Sequence, residues 1–365
     1  MKFRSERDTL LDALGMAARA ATTRGGAPQA LSGVRAEVVG DTLHLAGSDL
    51  DLTVQVEMPV SGAEPGVAVI PAKLATDIVR ALEPGAVSFE VDEGEARISS
   101  GRSQFAVRLL AAEEFVKLRQ PAPDAVTLAA ADFADALRQV VPAVSHDEAT
   151  RPILTGVLMA AEPGGLRLVA TDSYRLAVRD LPGQTVLREG QKVLVPGRAL
   201  GELTRVLANA DTVTLRLDDE QATFEVGTTR VSTRLIEGEF PNYRQLIPQS
   251  YPNKLTVGRE PLLAAVRRVR LLARENTPVR LSLRPDGLEL VAIDPEHGQA
   301  REDLDAKYEG AEMVVAFNPQ YLIDGAEAAT GDEISIETLD ALKPATLRSI
   351  EAPDYLYLLM PVRVS

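Results

Sequence analysis

Residues 154–176 read LTGVLMAAEPGGLRLVATDSYRL, and residues 31–53 read LSGVRAEVVGDTLHLAGSDLDLT. Gly33 and Gly156 lie 123 residues apart, and so do Asp49 and Asp172. Residues 279–294, VRLSLRPDGLELVAID, form a third copy that sets Asp294 another 122 residues along. A second landmark keeps the same step. VAVIPAKLATDIVRAL carries Pro71, KVLVPGRALGELTRVL carries Pro196 and MVVAFNPQYLIDGAEA carries Pro319, at intervals of 125 and 123. Long self-similarity of this kind marks a repeated structural unit. One third of the 365 residues is about 122, so three copies fill the chain.

Each copy opens with a helix and contains a second one after its proline. Leu10, Leu14, Ala17 and Ala18 recur at helical spacing between Glu6 and about Ala21. Phe133, Leu137, Val140 and Val144 do so between Ala131 and about Val144. The third opening helix follows Pro261, a favourable first helical position, with Leu262, Val266 and Val269 on one side. The other segments alternate as strands do, for example Thr42-Leu43-His44-Leu45 and Val213-Thr214-Leu215-Arg216-Leu217. Turn signals such as Gly164-Gly165 and Pro285-Asp286-Gly287 join them. Each unit therefore holds two helices and about eight strands, an α+β plan with helices on one face of antiparallel sheet. Polar, proline-containing linkers at Gln120-Pro121-Ala122-Pro123 and Gln249-Ser250-Tyr251-Pro252-Asn253 divide the chain into 1–121, 122–251 and 252–365.

Composition excludes several kinds of chemistry. The chain has no Cys, so disulfides, thiolate metal sites and cysteine nucleophiles are ruled out. His44, His146 and His297 are the only histidines and form no ligand pattern. No phosphate loop, no G-x-S-x-G and no H-E-x-x-H is present. The recurrence of Asp49, Asp172 and Asp294 favours a structural turn over a catalytic carboxylate pair. No metal or cofactor is expected. No apolar run is long enough to span a membrane and no signal peptide opens the chain, so a cytoplasmic protein is expected.

With 39 basic and 53 acidic residues the net charge is −14, the reverse of a protein that holds DNA by phosphate attraction. Yet arginines gather on the predicted helices: Arg198 and Arg205 in the second copy, Arg267, Arg270 and Arg274 in the third. At about 100° per residue the last three fall within about 60° of one another, away from the apolar stripe. A solvated helix face and a surface presented to phosphates both fit that pattern.

Three motifs carry a resemblance. They are Thr171-Asp172-Ser173-Tyr174-Arg175-Leu176-Ala177-Val178, Glu239-Phe240-Pro241-Asn242-Tyr243-Arg244-Gln245-Leu246-Ile247-Pro248, and the ending Tyr357-Leu358-Leu359-Met360-Pro361-Val362-Arg363-Val364. With the opening Met1-Lys2-Phe3 and the repeat, the whole chain resembles the β subunit of bacterial DNA polymerase III, the sliding clamp family. The resemblance implies three like domains per chain, a head-to-tail homodimer and a closed ring of six domains around duplex DNA. It implies a non-catalytic processivity factor in DNA replication. About twelve helices at roughly 10 Å spacing make a circle about 38 Å across, which leaves a hole of about 28 Å for the duplex.

The implied partners are double-stranded DNA held without sequence preference, the replicative polymerase α subunit, the clamp loader and other peptides bearing a clamp motif. A groove between the second and third domains would take them. Carried over by motif, its lining is Leu154, Thr171, Ser173, Tyr174, Arg175, Leu176, Pro241, Leu246, Leu358, Met360, Pro361, Val362 and Arg363. Leu176, Leu246, Met360 and Val362 would receive a leucine or phenylalanine anchor, and Arg175 or Arg363 an acidic or carbonyl group. Many relatives carry Gly-His where Ser173-Tyr174 stand, and Arg where Gln245 stands. DNA contact is implied for Arg24, with Arg151 a further candidate beside the helix arginines. The ring joint would bring Ile78, Leu82, Arg102 and Gln104 against Leu271, Leu272 and Glu302. Two other readings remain at this point: a paralogous clamp serving a specialised polymerase or antibiotic tolerance, and a carboxylate-based hydrolase on a repeated scaffold.

Overall fold

The computed structural model describes residues 1–22, 26–92, 94–273 and 277–363. The first copy runs β1 Lys2–Glu6, α1 Arg7–Ala18, β2 Gly33–Val39, β3 Thr42–Ser48, β4 Leu52–Pro59, β5 Ser61–Glu64, β6 Gly66–Pro71, α2 Ala72–Ala81, β7 Ala86–Asp92, β8 Glu95–Ser100 and β9 Ser103–Arg108. The second runs β10 Val126–Ala129, α3 Ala130–Val140, β11 Gly156–Glu162, β12 Gly165–Thr171, β13 Arg175–Pro182, β14 Lys192–Pro196, α4 Gly197–Leu207, β15 Thr212–Leu217, β16 Gln221–Val226 and β17 Thr229–Arg234. The third runs β18 Asn253–Gly258, α5 Arg259–Val269, β19 Val279–Arg284, β20 Gly287–Asp294, β21 Gly298–Leu304, β22 Ala306–Glu309, β23 Met313–Phe317, α6 Pro319–Ala328, β24 Glu333–Thr338, β25 Ala345–Ser349 and β26 Tyr355–Leu359.

Two helices per copy match the expectation. The first and third copies have nine strands among the described residues, one more than expected. The added strands, β5 (SGAE) and β22 (AKYE), are four residues each, and the one apolar–polar alternation they hold, Ala306 to Glu309, is too short to mark a strand by itself.

Among the described residues the strands form four antiparallel sheets, ordered β5-β1-β7-β8-β9, β10-β15-β16-β17-β4-β3-β2-β6, β14-β11-β12-β13-β26-β25-β24-β18-β22 and β21-β20-β19-β23. The two large sheets each join neighbouring copies. At the first seam Thr229 of β17 lies opposite Val56 of β4, and Thr233 opposite Leu52. At the second, Leu359 of β26 lies opposite Arg175 of β13, and Tyr355 opposite Arg179. The chain accordingly divides into two compact units, Met1–Ala131 with Gly201–Leu235, and Asp132–Leu200 with Ile236–Ser365. The division runs through the second copy because its two strand sets belong to different neighbours.

Each core lies between helices and sheet. α1 buries Leu10, Ala13, Leu14 and Ala17, a single stripe at helical spacing. A fully buried leucine contributes about 1.5–3 kcal/mol. α1 approaches β3 so closely that a Cβ on Gly47 would stand 1.9 Å from the Ala17 carbonyl oxygen, so no larger residue fits there. α5 buries Leu262, Leu263, Ala265, Val266 and Val269.

Two details of α5 differ from the sequence reading. The helix starts at Arg259, so Pro261 falls third in its first turn, where the backbone N–H has no helical partner to lose. It also ends at Val269. Arg270 opens a tighter 3-10 turn, Arg270–Leu272, and leaves the 100° progression on which the shared basic face was reckoned.

Candidate peptide-binding groove

The three repeated aspartates build one turn three times. The Asp49 carboxylate accepts N–H bonds from Asp51 and Leu52 at 3.2 and 2.8 Å. Asp172 accepts from Tyr174 and Arg175 at 2.9 and 3.0 Å, and Asp294 from Glu296 and His297 at 2.9 and 3.1 Å. A short carboxylate that caps its own following backbone fixes such a turn locally. Ser173 takes φ +79° and its counterpart Leu50 takes φ +84°, a region that costs a non-glycine residue about 1–2 kcal/mol. The third copy has Pro295 at that place.

At the second seam the turn stands over an apolar floor. Leu176 and Leu358 are buried together with Val178, Tyr243 and Leu356, and Ile153, Ile236, Phe240 and Ile247 pack partly exposed against them. Tyr174, Leu246, Met360 and Val362 expose 59%, 47%, 37% and 37% of their surface, a large share for apolar groups. The Met360 N–H donates to the Tyr174 carbonyl at 2.9 Å, and the Val362 N–H to the Ala316 carbonyl at 2.8 Å. The first bond holds the chain end beside the turn, and the second ties it to β23. Pro241 and Arg363 are exposed, Pro361 is half-buried, and Leu154 and Thr171 are buried. The Thr171 hydroxyl donates to the Arg175 carbonyl at 2.6 Å and accepts the Ser173 N–H at 3.1 Å. The sequence reading omitted Ile153, Phe240, Tyr243 and Ile247, although three of them lie in the quoted segment 239–248.

Arg175 is buried at the end of the turn. Its guanidinium donates to Asp172 at 3.0 Å, to Asp324 and, at 3.5 Å, to the Tyr357 hydroxyl. It also lies 4.3 Å above the Tyr321 ring. Burial alone would lower its pKa, but Tyr357, Asp324 and Asp172 together hold it above the ordinary guanidinium value. Burial in turn raises the Tyr357 hydroxyl above its ordinary range. Among the arginines assigned to the groove, Arg363 is the exposed one. Arg175→Ala would strand two carboxylates that are only 11% and 17% exposed. We expect it to destabilise this unit by about 3–5 kcal/mol, read as a lowered denaturant midpoint. Arg175→Lys should recover only part of the loss, because one ammonium lacks the planar fork that spans both acids.

The equivalent depression at the first seam has different chemistry. A cavity of about 200 Å³ is lined by Ser48, Leu50, Asp51, Lys117, Arg119, Glu220 and Arg234, among others. Arg119 pairs with Glu220 at 2.7 Å and Asp218 at 3.2 Å, and Arg234 with Asp51 at 4.0 Å. Charges bound to one another line that cavity, whereas apolar side chains stand free at the second seam.

The remaining assigned residues fall as follows. Arg24 and Arg274 lie outside the described residues. Arg151 donates to the Ser173 hydroxyl at 3.0 Å, beside the groove. Arg198 and Arg270 are exposed; Arg205 pairs with Glu202, and Arg267 with Glu327. Ile78 and Leu82 are buried in their own copy at 8% and 4% exposure. Arg102 sits at the exposed β8–β9 turn and Gln104 on β9, Leu271 is exposed, Leu272 is half-buried, and Glu302 pairs with Arg268 at 2.6 Å.

Family models of the DNA polymerase III beta subunit match nearly the whole chain: the N-terminal domain over residues 1–119, the central domain over 127–242 and the C-terminal domain over 244–363. The chain belongs to this family. A beta sliding clamp of Streptomyces coelicolor is 35% identical over 377 aligned positions, covering all of both chains. One from Staphylococcus aureus is 31% identical across 100% of this chain and 99% of its own. The crystal structure of the Bacillus subtilis sliding clamp superposes with a TM-score of 0.90 at 30% identity, over all of both chains. That of the Bartonella birtlesii clamp, bound to griselimycin, gives 0.91 at 31%, again over all of both chains. The three-copy repeat is thus the three-domain fold of the family. No helix among the described residues is long and apolar enough to cross a membrane.

Proposed function

We propose that two copies of this chain close head-to-tail into a ring around duplex DNA, as a non-catalytic clamp of the cytoplasm. It tethers the polymerase α subunit, the clamp loader and other partners by linear peptides bound in the groove of the second seam. Domain limits of 1–121, 122–251 and 252–365 are part of this reading; the family models divide the chain between 119 and 127 and between 242 and 244. The family supports the clamp reading, and one structural observation carries the ring: the seams leave one edge unmatched at each end of the series.

In both seams the fourth strand of a copy's sequence (β4, then β13) meets the last strand of the following copy (β17, then β26). Counted from the repeated aspartate, the two seams share one register. Val54 lies opposite Val231 and Ala177 opposite Tyr357, each five residues past its aspartate. The corresponding strands left over are β21 in the third copy and β9 in the first, and each is the edge of its sheet. Mostly exposed, β9 and β21 are edges open to pairing. The same rule pairs β21 of one protomer with β9 of its partner, with Gln299 opposite Phe105 and Ala300 opposite Gln104. A head-to-tail joint used twice closes a dimer.

The chain has no cysteine, so the register is open to a direct test. The double variant Phe105→Cys, Gln299→Cys should oxidise to a covalent dimer, because opposed residues of an antiparallel pair lie within disulfide reach. Either single variant should stay uncrosslinked. A double variant that remains monomeric on a denaturing gel would refute this joint.

A further inference from the structure

Five arginines on or beside the helices share one arrangement. Arg80 lies 2.6 Å from Asp77, three residues earlier on α2, and Arg138 lies 3.1 Å from Asp135, three residues earlier on α3. On α4, Arg205 pairs with Glu202, again three residues earlier. Glu202 also takes Arg19, just beyond α1, at 3.2 Å. Arg267 of α5 meets Glu327 of α6 at 2.5 Å. Arg80 and Arg205 stand 125 residues apart, as do their acids, so the pair recurs at one place in two copies. All five arginines keep 45–60% of their side chains exposed. These pairs are at the surface, where an ion pair is weak and readily exchanged.

A duplex presents a phosphate charge about every 1.7 Å along its axis. An uncommitted arginine beside it gains a charge-assisted bond at one register and loses it before the next, which makes a rough path. An arginine that already holds a carboxylate trades one ionic bond for another of similar kind. Its energy then changes little as the duplex moves.

We infer that Asp77, Asp135, Glu202 and Glu327 act as exchange partners for DNA phosphate. Each keeps its arginine until a phosphate takes it, and recovers it when the phosphate passes. This rests on the proposed reading that the helices face DNA. A purely structural pair spaced one turn apart would change helix stability and leave DNA binding as it was.

The test uses the full chain with Asp77→Asn, Asp135→Asn, Glu202→Gln and Glu327→Gln together. Two quantities are read: affinity for a short linear duplex by fluorescence anisotropy across a salt series, and diffusion of loaded rings along a stretched duplex. Binding to the linear duplex should tighten about tenfold or more at moderate salt, with a steeper salt dependence, because more arginines then release counterions. Sliding should slow by a similar factor. The charge-keeping set Asp77→Glu, Asp135→Glu, Glu202→Asp and Glu327→Asp should behave as the unaltered protein. Glu202 is the most covered of the four acids, so a triple variant that retains it should show the same direction if the quadruple one does not fold. Linear-duplex affinity and sliding both unchanged in the neutralised set would overturn the inference. Its linear arm needs no ring. Unaltered protein that stays on DNA after the circle is cut would instead count against encirclement, and so separates the two failures.

Discussion

Rings of this chain loaded on nicked circular duplex should leave almost completely once that circle is cut, and should stay when the cut ends are blocked by bulky proteins. Ordinary affinity cannot hold them. The chain carries −14 net charge, and the helix arginines described above are occupied by neighbouring carboxylates. Even basic proteins bind duplex non-specifically with dissociation constants of only about 10⁻⁴–10⁻⁶ M at physiological salt. A ring that encloses the duplex needs no such affinity, because it can leave only by opening or by running off an end. Gel filtration of labelled protein with circular and linearised DNA measures the difference. Equal retention on both forms would show that chemical affinity, not encirclement, holds the protein.

Removal of Met360–Ser365 should weaken binding of a clamp-motif peptide about a hundredfold or more. A well-placed apolar anchor contributes about 2–4 kcal/mol to an interface, and about 1.4 kcal/mol corresponds to tenfold in affinity. The truncation takes away the exposed Met360 and Val362 and the two backbone bonds that tie the chain end to Tyr174 and to Ala316. β26 ends at Leu359, so the strand at the seam and its pairing to β13 and β25 are retained. The fold should survive with a nearly unchanged melting temperature. Met360→Ala with Val362→Ala keeps the backbone and should lose most of the same affinity in calorimetry. Full affinity in the truncated protein would move the peptide site elsewhere.

The polar first seam explains why one groove per chain is proposed. Both seams share the aspartate turn and the residue with positive φ, yet Asp51 stands where Tyr174 stands in the second. Arg119 and Arg234 then close the first depression with ion pairs. Distinction between the copies therefore lies in a few side chains set on a common backbone.

Much of this was legible from local pattern. Strands alternate with period two and helices with period 3.6, and a proline or a capping aspartate acts within a few residues of itself. Three copies, two helices in each and the repeated aspartate turns could therefore be read from the chain in order. The short edge strands β5 and β22 escaped because four residues are too few to establish a period. The end of α5 at Val269 escaped because the arginines beyond it suit a continuing helix equally well.

What the linear order determined by itself was the repeat and its local geometry, since those depend on near neighbours. Tertiary structure alone decided which charged groups meet from distant parts of the chain. Arg175 meets Asp324 across 149 residues, and Glu202 meets Arg19 across 183. No spacing rule reaches so far, because such partners are chosen by strand registry and helix packing between distant segments.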